Sequence, residues 1–369
     1  MKDYKKSFKQ YDFPLIIITI LLIGFGLIAL TSASYPNGEA YHGSGYYHLK
    51  RQAAFMILGL ISLIFTANLN RKILQVLSGK LFFLSLILVF ALWIPYFADE
   101  RFGQARWFKV PIINFRFQPS DFIKVTSVLY FANLLELNKN RMNNKYTFIT
   151  LVMIMIISVG PIMLKDLSTG VVIGFSLLMM LIVGGLRMHQ FISLIGIGLL
   201  SLPIMLLKFG YRMKRIFTYF GGKEDTDPTN EGYHILQSLY AIAMGGYGGV
   251  GLFHSRQKYF NLPLAYNDFI FSIICEEFGF IGATFLIILF FLFIYRGLYI
   301  AYNAKNYYDK YVAVGLTSSI GIQAIFNMGV SCKLFPVTGI TLPFISYGGT
   351  SLFVTMATVG LILRISRDV

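Results

Sequence analysis

Long apolar segments separated by mostly short polar connections run along almost the whole chain. A helix needs roughly 20 apolar residues to cross a membrane, and helices or closed barrels are the structures that satisfy every backbone polar group in lipid. The pattern therefore predicts an all-α, polytopic integral membrane protein with ten transmembrane helices. The predicted spans are Phe13–Ala33, Gln52–Leu69, Lys80–Ala98, Pro119–Leu137, Tyr146–Leu164, Thr169–Leu186, Met188–Lys208, Phe269–Leu298, Val312–Val330 and Leu342–Leu363.

A count of nine is the main alternative, because Lys165 and Asp166 interrupt the apolar sequence between Tyr146 and Leu186. The chain shows no internal repeat and no stretch with the composition of a separate soluble domain. We therefore treat residues 1–369 as a single transmembrane domain.

The connection between the seventh and eighth predicted spans, residues 209–268, is long and polar. Its sequence from Tyr211 to Asp268 concentrates basic, acidic, amide and glycine residues in an otherwise apolar chain. Most connections in a membrane protein are short, and long loops usually carry function. This loop is the first place to look for a functional site.

Composition and charge add an orientation. The chain has 369 residues, 56% of them hydrophobic and 13% charged, whereas soluble domains carry about 25% charged residues. With the N-terminus inside, the short inner loops hold about twice as many Lys and Arg residues as the outer ones. This asymmetry predicts cytoplasmic termini and an outer long loop. The basic residues that remain outside suit an anionic ligand.

Two classes of nucleotide site are disfavoured. No GxxxxGK[ST] motif occurs, which argues against an ATP-driven pump, and the glycines of MGGYGGVG follow no strand, which argues against a dinucleotide site. Two cysteines, Cys275 and Cys332, indicate neither a disulfide framework nor a metal cluster.

Asp121 and Lys124, in QPSDFIKV, lie three residues apart and can pair on one helix face. Pro119 suits the first helical position, and Asp121 in the first turn suits the helix dipole. One interpretation is a self-satisfied helix start. The other, which we favour, is a charge pair lining a cavity at the outer face, since intramembrane charges usually mark sites.

Two further outer positions have both structural and functional interpretations. Asp166, in LKDLSTG, fits either a turn or N-cap residue or a member of the site. Arg106 and Trp107, in FGQARWFKV, fit either an interfacial anchor or a phosphate-binding pair.

Asp268 stands where the long loop returns to an apolar helix, with Glu276 and Glu277 following at helical spacing. On local grounds a lone Asp there is most often an N-cap. Alternatively, one of the three carboxylates could have a pKa raised by an apolar wall and serve in proton transfer. The residues alone predict an outward-facing, anion-binding membrane site without choosing between transport and catalysis.

Seven motifs, taken together and in this order, distinguish between these possibilities: GQARW, QPSDFIK, KDLST, YRMKRI, GGYGGVG with SRQK, LPLAYNDFIFSIICEEFGFIG and PVTGITLPFISYGGTS. With these motifs the chain resembles the SEDS family (FtsW, RodA and SpoVE) along nearly its whole length, and more closely the FtsW and SpoVE branch than RodA. The resemblance implies ten transmembrane helices and a peptidoglycan glycosyltransferase that polymerises lipid II on the outer face of the bacterial cytoplasmic membrane.

The resemblance also implies roles for single residues. The family's essential loop carboxylate falls on Asp268, the acid of its QPSE motif on Asp121, and its basic-aromatic pair on Arg106 and Trp107. LPEAHTD has become LPLAYND and PDLGT has become KDLST, which alters the surroundings of Asp268 and Asp166. The residues expected to contact substrate are Arg106, Trp107, Asp121, Lys124, Asp166, Arg212, Arg215, Gln237, Ser238, Arg256, Lys258, Ser346, Gly348 and Gly349.

Glycan extension requires a sugar hydroxyl to attack an anomeric carbon and expel undecaprenyl pyrophosphate. A single general base is sufficient, and Asp268 is the expected base. Basic side chains or a divalent cation, Mg²⁺ or Mn²⁺, would stabilise the charge on the leaving group.

The resemblance implies lipid II, a class B penicillin-binding protein transpeptidase and other divisome or elongasome membrane proteins as partners, and no nucleic acid. It favours a role in cell division, with a RodA-type elongation polymerase as one alternative. Two other classes of function remain open: a transporter that flips lipid II, and a noncatalytic scaffold for a penicillin-binding protein.

Overall fold

The computed structural model describes residues 11–101, 104–110, 115–142, 144–208, 231–259, 261–263, 265–337 and 339–369. This part of the chain is dominated by α-helices, as the apolar pattern predicts. The helices are α1 (Phe13–His42), α2 (Tyr47–Ala67), α3 (Arg71–Ala91), α4 (Pro119–Leu137), α5 (Lys145–Lys165), α6 (Leu167–Val183), α7 (Met188–Lys208), α8 (Glu231–Gly245), α9 (Ile270–Tyr302), α10 (Tyr307–Ser331) and α11 (Gly349–Ser366).

Each of the ten predicted spans overlaps one of these helices, although the third span was placed too late, since α3 is Arg71–Ala91, and α8 is an additional helix inside the long loop. Among the described residues, seven helices have the length and hydropathy to cross a membrane: α1, α2, α3, α5, α9, α10 and α11. Helix α6 has 17 residues and is also apolar. Helices α5 and α6 are separate and lie on either side of Asp166. The alternative in which the apolar sequence from Tyr146 to Leu186 is divided differently is therefore excluded.

The connection between α3 and α4 contains a small sheet that the apolar pattern did not predict. Strands β1 (Ala98–Arg101), β2 (Gln104–Val110) and β3 (Phe115–Phe117) pair antiparallel in that order. Phe97 stacks on Phe108, at a centroid distance of 5.2 Å, and Phe108 packs on Phe117. The strands are much shorter than the flanking helices, so their alternation of apolar and polar residues is a weak signal in the sequence. Strand β2 nevertheless carries both Arg106 and Trp107.

Two helices near the C-terminus form the centre of the bundle. The most apolar windows of α10 and α11 are 78% and 72% buried within the protein, compared with 11% for α2. Helix α10 packs against α4, α6 and α9, while α11 packs mainly against α2. The polar faces of α4 and α10 therefore face each other inside the protein.

Helix α9 is interrupted at Gly279, which has a φ of 64° and a ψ of −163°. The amides of Val250 and Gly251 donate to the carbonyls of Glu276 and Glu277, at 2.9 and 3.0 Å. In return, the amide of Phe280 donates to the carbonyl of Gly246 at 2.9 Å. The glycine-rich segment after α8 thus satisfies the backbone groups that the break exposes, as a lipid environment requires.

This arrangement predicts that Gly279→Ala is destabilising. A Cβ at residue 279 would clash with the backbone of Gly249 and Tyr247, and the left-handed φ adds strain. We expect the free energy of unfolding to fall by about 1–3 kcal/mol, measured by thermal denaturation of the purified protein in detergent. Gly24→Ala is the control, because nothing lies within 4 Å of its added Cβ. Equal midpoints for the two variants would contradict the strained junction.

Candidate active site

The connections that follow α3, α5 and α10 meet at one end of the helix bundle. Arg106 of β2 lies 3.5 Å from Asp166, measured from Nη2 to Oδ1, and its Nη1 donates to the carbonyl of Gly339 at 3.3 Å. A Cβ placed on Gly339 would lie 2.8 Å from Arg106 Nη1 and 3.6 Å from Asp268 Oδ2. Arg106 and Asp268, distant in sequence, therefore flank one glycine, and Asp166 contacts Arg106.

Asp268 lies two residues before the first residue of α9 and is half-buried. The N-cap of α9 is Phe269, and it makes no side-chain capping bond. Asp268 therefore does not occupy the N-cap position of α9. Its backbone carbonyl accepts a 2.8 Å hydrogen bond from Asn327 of α10, whose amide also donates to the carbonyl of Ile340 at 2.6 Å. One buried amide thus fixes Asp268 relative to the segment around Gly339.

The SYGG segment holds the other side of the Asp268 loop. Ser346 Oγ donates to the carbonyl of Asn267 at 2.5 Å, and the amide of Tyr347 donates to the carbonyl of Tyr266 at 3.0 Å. Gln52 of α2 donates to the carbonyl of Ser346 and accepts from the amide of Gly348. Burial, reinforced by Tyr347, raises the pKa of the Tyr266 phenol, which therefore stays neutral at physiological pH.

Gly349 begins α11 and lies against the ring of Phe55, where a Cβ would clash. The motif therefore needs its second glycine for the close approach of α11 to α2. Ser346, Gly348 and Gly349 thus have clear positioning contacts in the structure, alongside the substrate contacts that the resemblance implies.

Asp121 and Lys124 form the predicted ion pair, at 2.9 Å, and both are buried. Lys124 Nζ also donates to Gln323 of α10 at 2.9 Å. Asp121 Oδ2 has no hydrogen-bond partner among the described residues. The pair borders a cavity of about 20 Å³, which holds little more than a water molecule. The cavity is lined by Gln118, Asp121, Lys124, Thr169, Val172, Gln323, Gly339, Ile340 and Thr341.

Asp166 is the N-cap of α6 and also contacts Arg106. Its carboxylate caps α6 by accepting from the amide of Thr169 at 3.3 Å and from the Thr169 hydroxyl at 2.7 Å. It also faces Arg106 across the site. Because Gly339 borders both the cavity and Arg106, the Asp121–Lys124 pair and the Arg106–Asp166 pair belong to one continuous region.

Lys258 lies in a different cluster, beside the break in α9. Its Nζ pairs with Glu277 at 2.8 Å, with both side chains 1% exposed, and donates to Ser32 at 2.9 Å. Glu276 accepts from the Ser255 hydroxyl at 2.5 Å and from the amide of Arg256 at 2.8 Å. These contacts attach the loop to α9. They give Lys258, Glu276 and Glu277 a structural function.

The remaining predicted residues are dispersed. Ser238 of α8 is fully buried and bonds to Ser272 and to the carbonyl of Ser331, at 2.5 and 2.8 Å, so it ties α8 to α9 and α10. Gln237 is half-buried and Arg256 is exposed. Trp107 follows Arg106 on β2, where the pairing with β1 is irregular: Asp99 pairs with Trp107 and Glu100 with Ala105, so Arg106 is the unpaired residue of a β-bulge. Arg212 and Arg215 lie outside the described residues.

Sequence reasoning missed three amide side chains that organise this region: Gln52, Gln323 and Asn327. Gln323 donates to the carbonyl of Thr341 at 2.9 Å, and Asn327 follows one turn later on the same face of α10. A Gln and an Asn four residues apart in an apolar helix would have been a usable signal, since buried amides need partners.

Lys124→Met should strongly destabilise the protein, because it leaves Asp121 buried without its cation. Breaking a buried pair in this way costs about 3–5 kcal/mol. We expect low yields of monodisperse protein and a lower thermal midpoint. The double variant Asp121→Asn/Lys124→Met removes both charges and should recover most of the loss. A single variant as stable as the wild type would show that the pair is not needed for the fold.

The FtsW/RodA/SpoVE family model, described as a cell cycle protein family, matches residues 13–369. Stage V sporulation protein E of Bacillus subtilis is 39% identical over 358 residues, covering 96% of this chain and 97% of that protein. A probable peptidoglycan glycosyltransferase FtsW of Trichlorobacter lovleyi is 33% identical over 369 residues, covering 98% and 95%.

Solved structures give the same result. A chain of a peptidoglycan synthase complex, studied for the coordination of polymerization and crosslinking, superposes with a TM-score of 0.80 at 27% identity, covering 97% of this chain and 98% of that one. The rod shape determining protein RodA of Thermus thermophilus superposes with a TM-score of 0.72 at 25% identity, covering 97% of each chain. The match over almost the whole length confirms the resemblance found in the sequence, and the chain belongs to the FtsW/RodA/SpoVE family of cell cycle proteins.

Proposed function

We propose that this protein is a peptidoglycan glycosyltransferase that polymerises lipid II at the outer face of the bacterial cytoplasmic membrane, with both termini in the cytoplasm. Family membership and the relatives described as peptidoglycan glycosyltransferases support the reaction class. The excess of basic residues in the inner loops supports the orientation. The similarity to stage V sporulation protein E and to FtsW supports a role in division or sporulation over elongation.

The observation that carries the proposal is the position of Asp268 beside Arg106 at Gly339. A carboxylate and a guanidinium on either side of one backbone segment suit a reaction with a proton to remove and a phosphate leaving group to stabilise. A transporter would need these charges along a path through the membrane. Here they lie together at one end of the bundle.

In the proposed reaction, Asp268 accepts the proton of the attacking sugar hydroxyl as that oxygen bonds to the anomeric carbon of a second lipid II. The bond between that carbon and the pyrophosphate oxygen breaks, with inversion at the carbon. Arg106 stabilises the charge that develops on the leaving group. Asp166 holds the Arg106 guanidinium, and Asn327 and Ser346 hold the loop that carries Asp268.

A divalent cation is not built into this mechanism. Within the described ranges, no group of three or more His, Cys, Asp or Glu side chains could hold a metal ion. Mg²⁺ commonly takes only one or two carboxylates and completes its shell with substrate phosphates. A contribution of Mg²⁺ or Mn²⁺ would therefore depend on the pyrophosphate of lipid II, and the steps above rely on the chain's own residues.

Asp268→Asn should fold normally and polymerise lipid II about 10²–10⁴-fold more slowly, the usual cost of losing a general base. Asparagine keeps the size of the side chain and its hydrogen bonding but cannot accept the proton. The measurement is glycan-strand formation by purified protein in detergent, without a bilayer, which also separates polymerisation from lipid flipping.

The matched control is Glu39→Gln, which neutralises an exposed carboxylate at the same end of the bundle. It should retain wild-type activity. Near wild-type polymerisation by a folded Asp268→Asn protein would eliminate Asp268 as the base. Polymerisation by neither variant nor wild type would favour the scaffold or transporter alternatives.

A class B penicillin-binding protein is the proposed partner, supported by the similarity to a chain of a peptidoglycan synthase complex. Helices α2, α3 and α5 expose large apolar side chains that a single transmembrane helix could cover. We expect a tagged form of this protein to co-purify such a transpeptidase from native membranes in mild detergent. Repeated recovery of the tagged protein alone would contradict the partnership.

A further inference from the structure

A second cavity lies at the opposite end of the helix bundle from Asp268. Its volume is about 370 Å³. Helix α3 runs from this cavity toward the sheet that carries Arg106, and α11 runs from the SYGG segment back to the cavity. The two regions are therefore separated by the length of the transmembrane helices. The cavity is lined by Asn70, Arg71, Lys72, Lys305, Asn306, Arg364 and Asp368.

The cavity has a surplus of positive charge. Arg364 is buried and already paired, with Asp309 and, at 3.5 Å, with Asp368. Arg71, Lys72 and Lys305 have no ion-pair partner among the residues that the structure describes. Three cations around one concave space form a site for an anionic group, and phosphate oxygens accept readily from such donors.

The surface beside the cavity favours an anion attached to an apolar tail. On α3, just beyond the two basic residues, Ile73, Val76 and Leu77 are 50%, 71% and 40% exposed. Their spacing puts them on one side of the helix. Tyr302 and Tyr307, at 82% and 50% exposure, flank the connection that carries Lys305, as aromatic residues do at membrane interfaces. A free phosphate would use the cations alone, whereas a lipid would use both surfaces.

We propose that this cavity binds the phosphate headgroup of an anionic glycerophospholipid, with the acyl chains along the exposed face of α3. Under the orientation proposed above, the cavity faces the cytoplasmic leaflet, where anionic lipids attract basic residues near the membrane surface. The site is separate from the catalytic region. Its binding reaction is measured without any polymerisation, so its failure and that of the proposed function are distinguishable.

The test uses delipidated full-length protein in a neutral detergent, titrated with dioleoylphosphatidylglycerol and observed by native mass spectrometry. The double variant Lys72→Ala/Lys305→Ala should bind this lipid about tenfold or more weakly, because it removes two of the three unpaired cations around the phosphate group. Both lysines are exposed, so the variant should keep the wild-type thermal midpoint. Arg141→Ala/Lys145→Ala, which removes two exposed basic residues from the same end of the bundle outside the cavity, should bind as the wild type does.

Two further arms separate the sources of the phosphate group. Zwitterionic dioleoylphosphatidylcholine should bind much more weakly than the anionic lipid, and millimolar inorganic phosphate should not displace the anionic lipid. Equal affinities for the two double variants would overturn the proposal. Displacement by inorganic phosphate would overturn it as well, because it would identify a site for the free anion.

Discussion

Buried amide side chains are the interaction on which the candidate site depends. The segments around Asp268, Gly339 and Ser346 are not helical, and their backbone groups lie inside the protein, where unpaired polar atoms are costly. Asn327, Gln323 and Gln52 supply the missing hydrogen bonds from three positions on α10 and α2. Irregular backbone is thus stabilised where it lines the site.

The break in α9 follows the same rule with backbone partners. Gly279 opens the helix, and the segment after α8 donates and accepts in place of the lost helical bonds. The ion pair between Lys258 and Glu277 then anchors the loop beside this junction, 19 residues apart in the chain. The loop is therefore attached to α9 by residues that precede Asp268, and it continues directly into α9 after Asp268, which limits how far the carboxylate can move.

The sequence predicted the helices well because each span is long and apolar, and that signal needs no tertiary information. It also predicted the Asp121–Lys124 pair, since residues three apart on a helix are neighbours. It could not predict the partner of Lys258, because the sequence of a basic loop residue is the same whether its side chain binds substrate or pairs with the buried Glu277. The sheet around Arg106 was missed for a similar reason: strands of 3 to 7 residues give little periodicity.

The size of the cavity beside Asp121 places a condition on catalysis. Ligand sites for molecules of moderate size occupy about 300–1,000 Å³, whereas this cavity has about 20 Å³. A lipid-linked disaccharide therefore needs the region to widen.

The Gly339 segment is held on one side by the buried amides of α10 and on the other by the 3.3 Å bond from Arg106. Arg106 Nε has no partner among the described residues, so this donor can serve a phosphate oxygen. Widening on the Arg106 side releases one long hydrogen bond, whereas widening on the α10 side would leave buried amides unpaired.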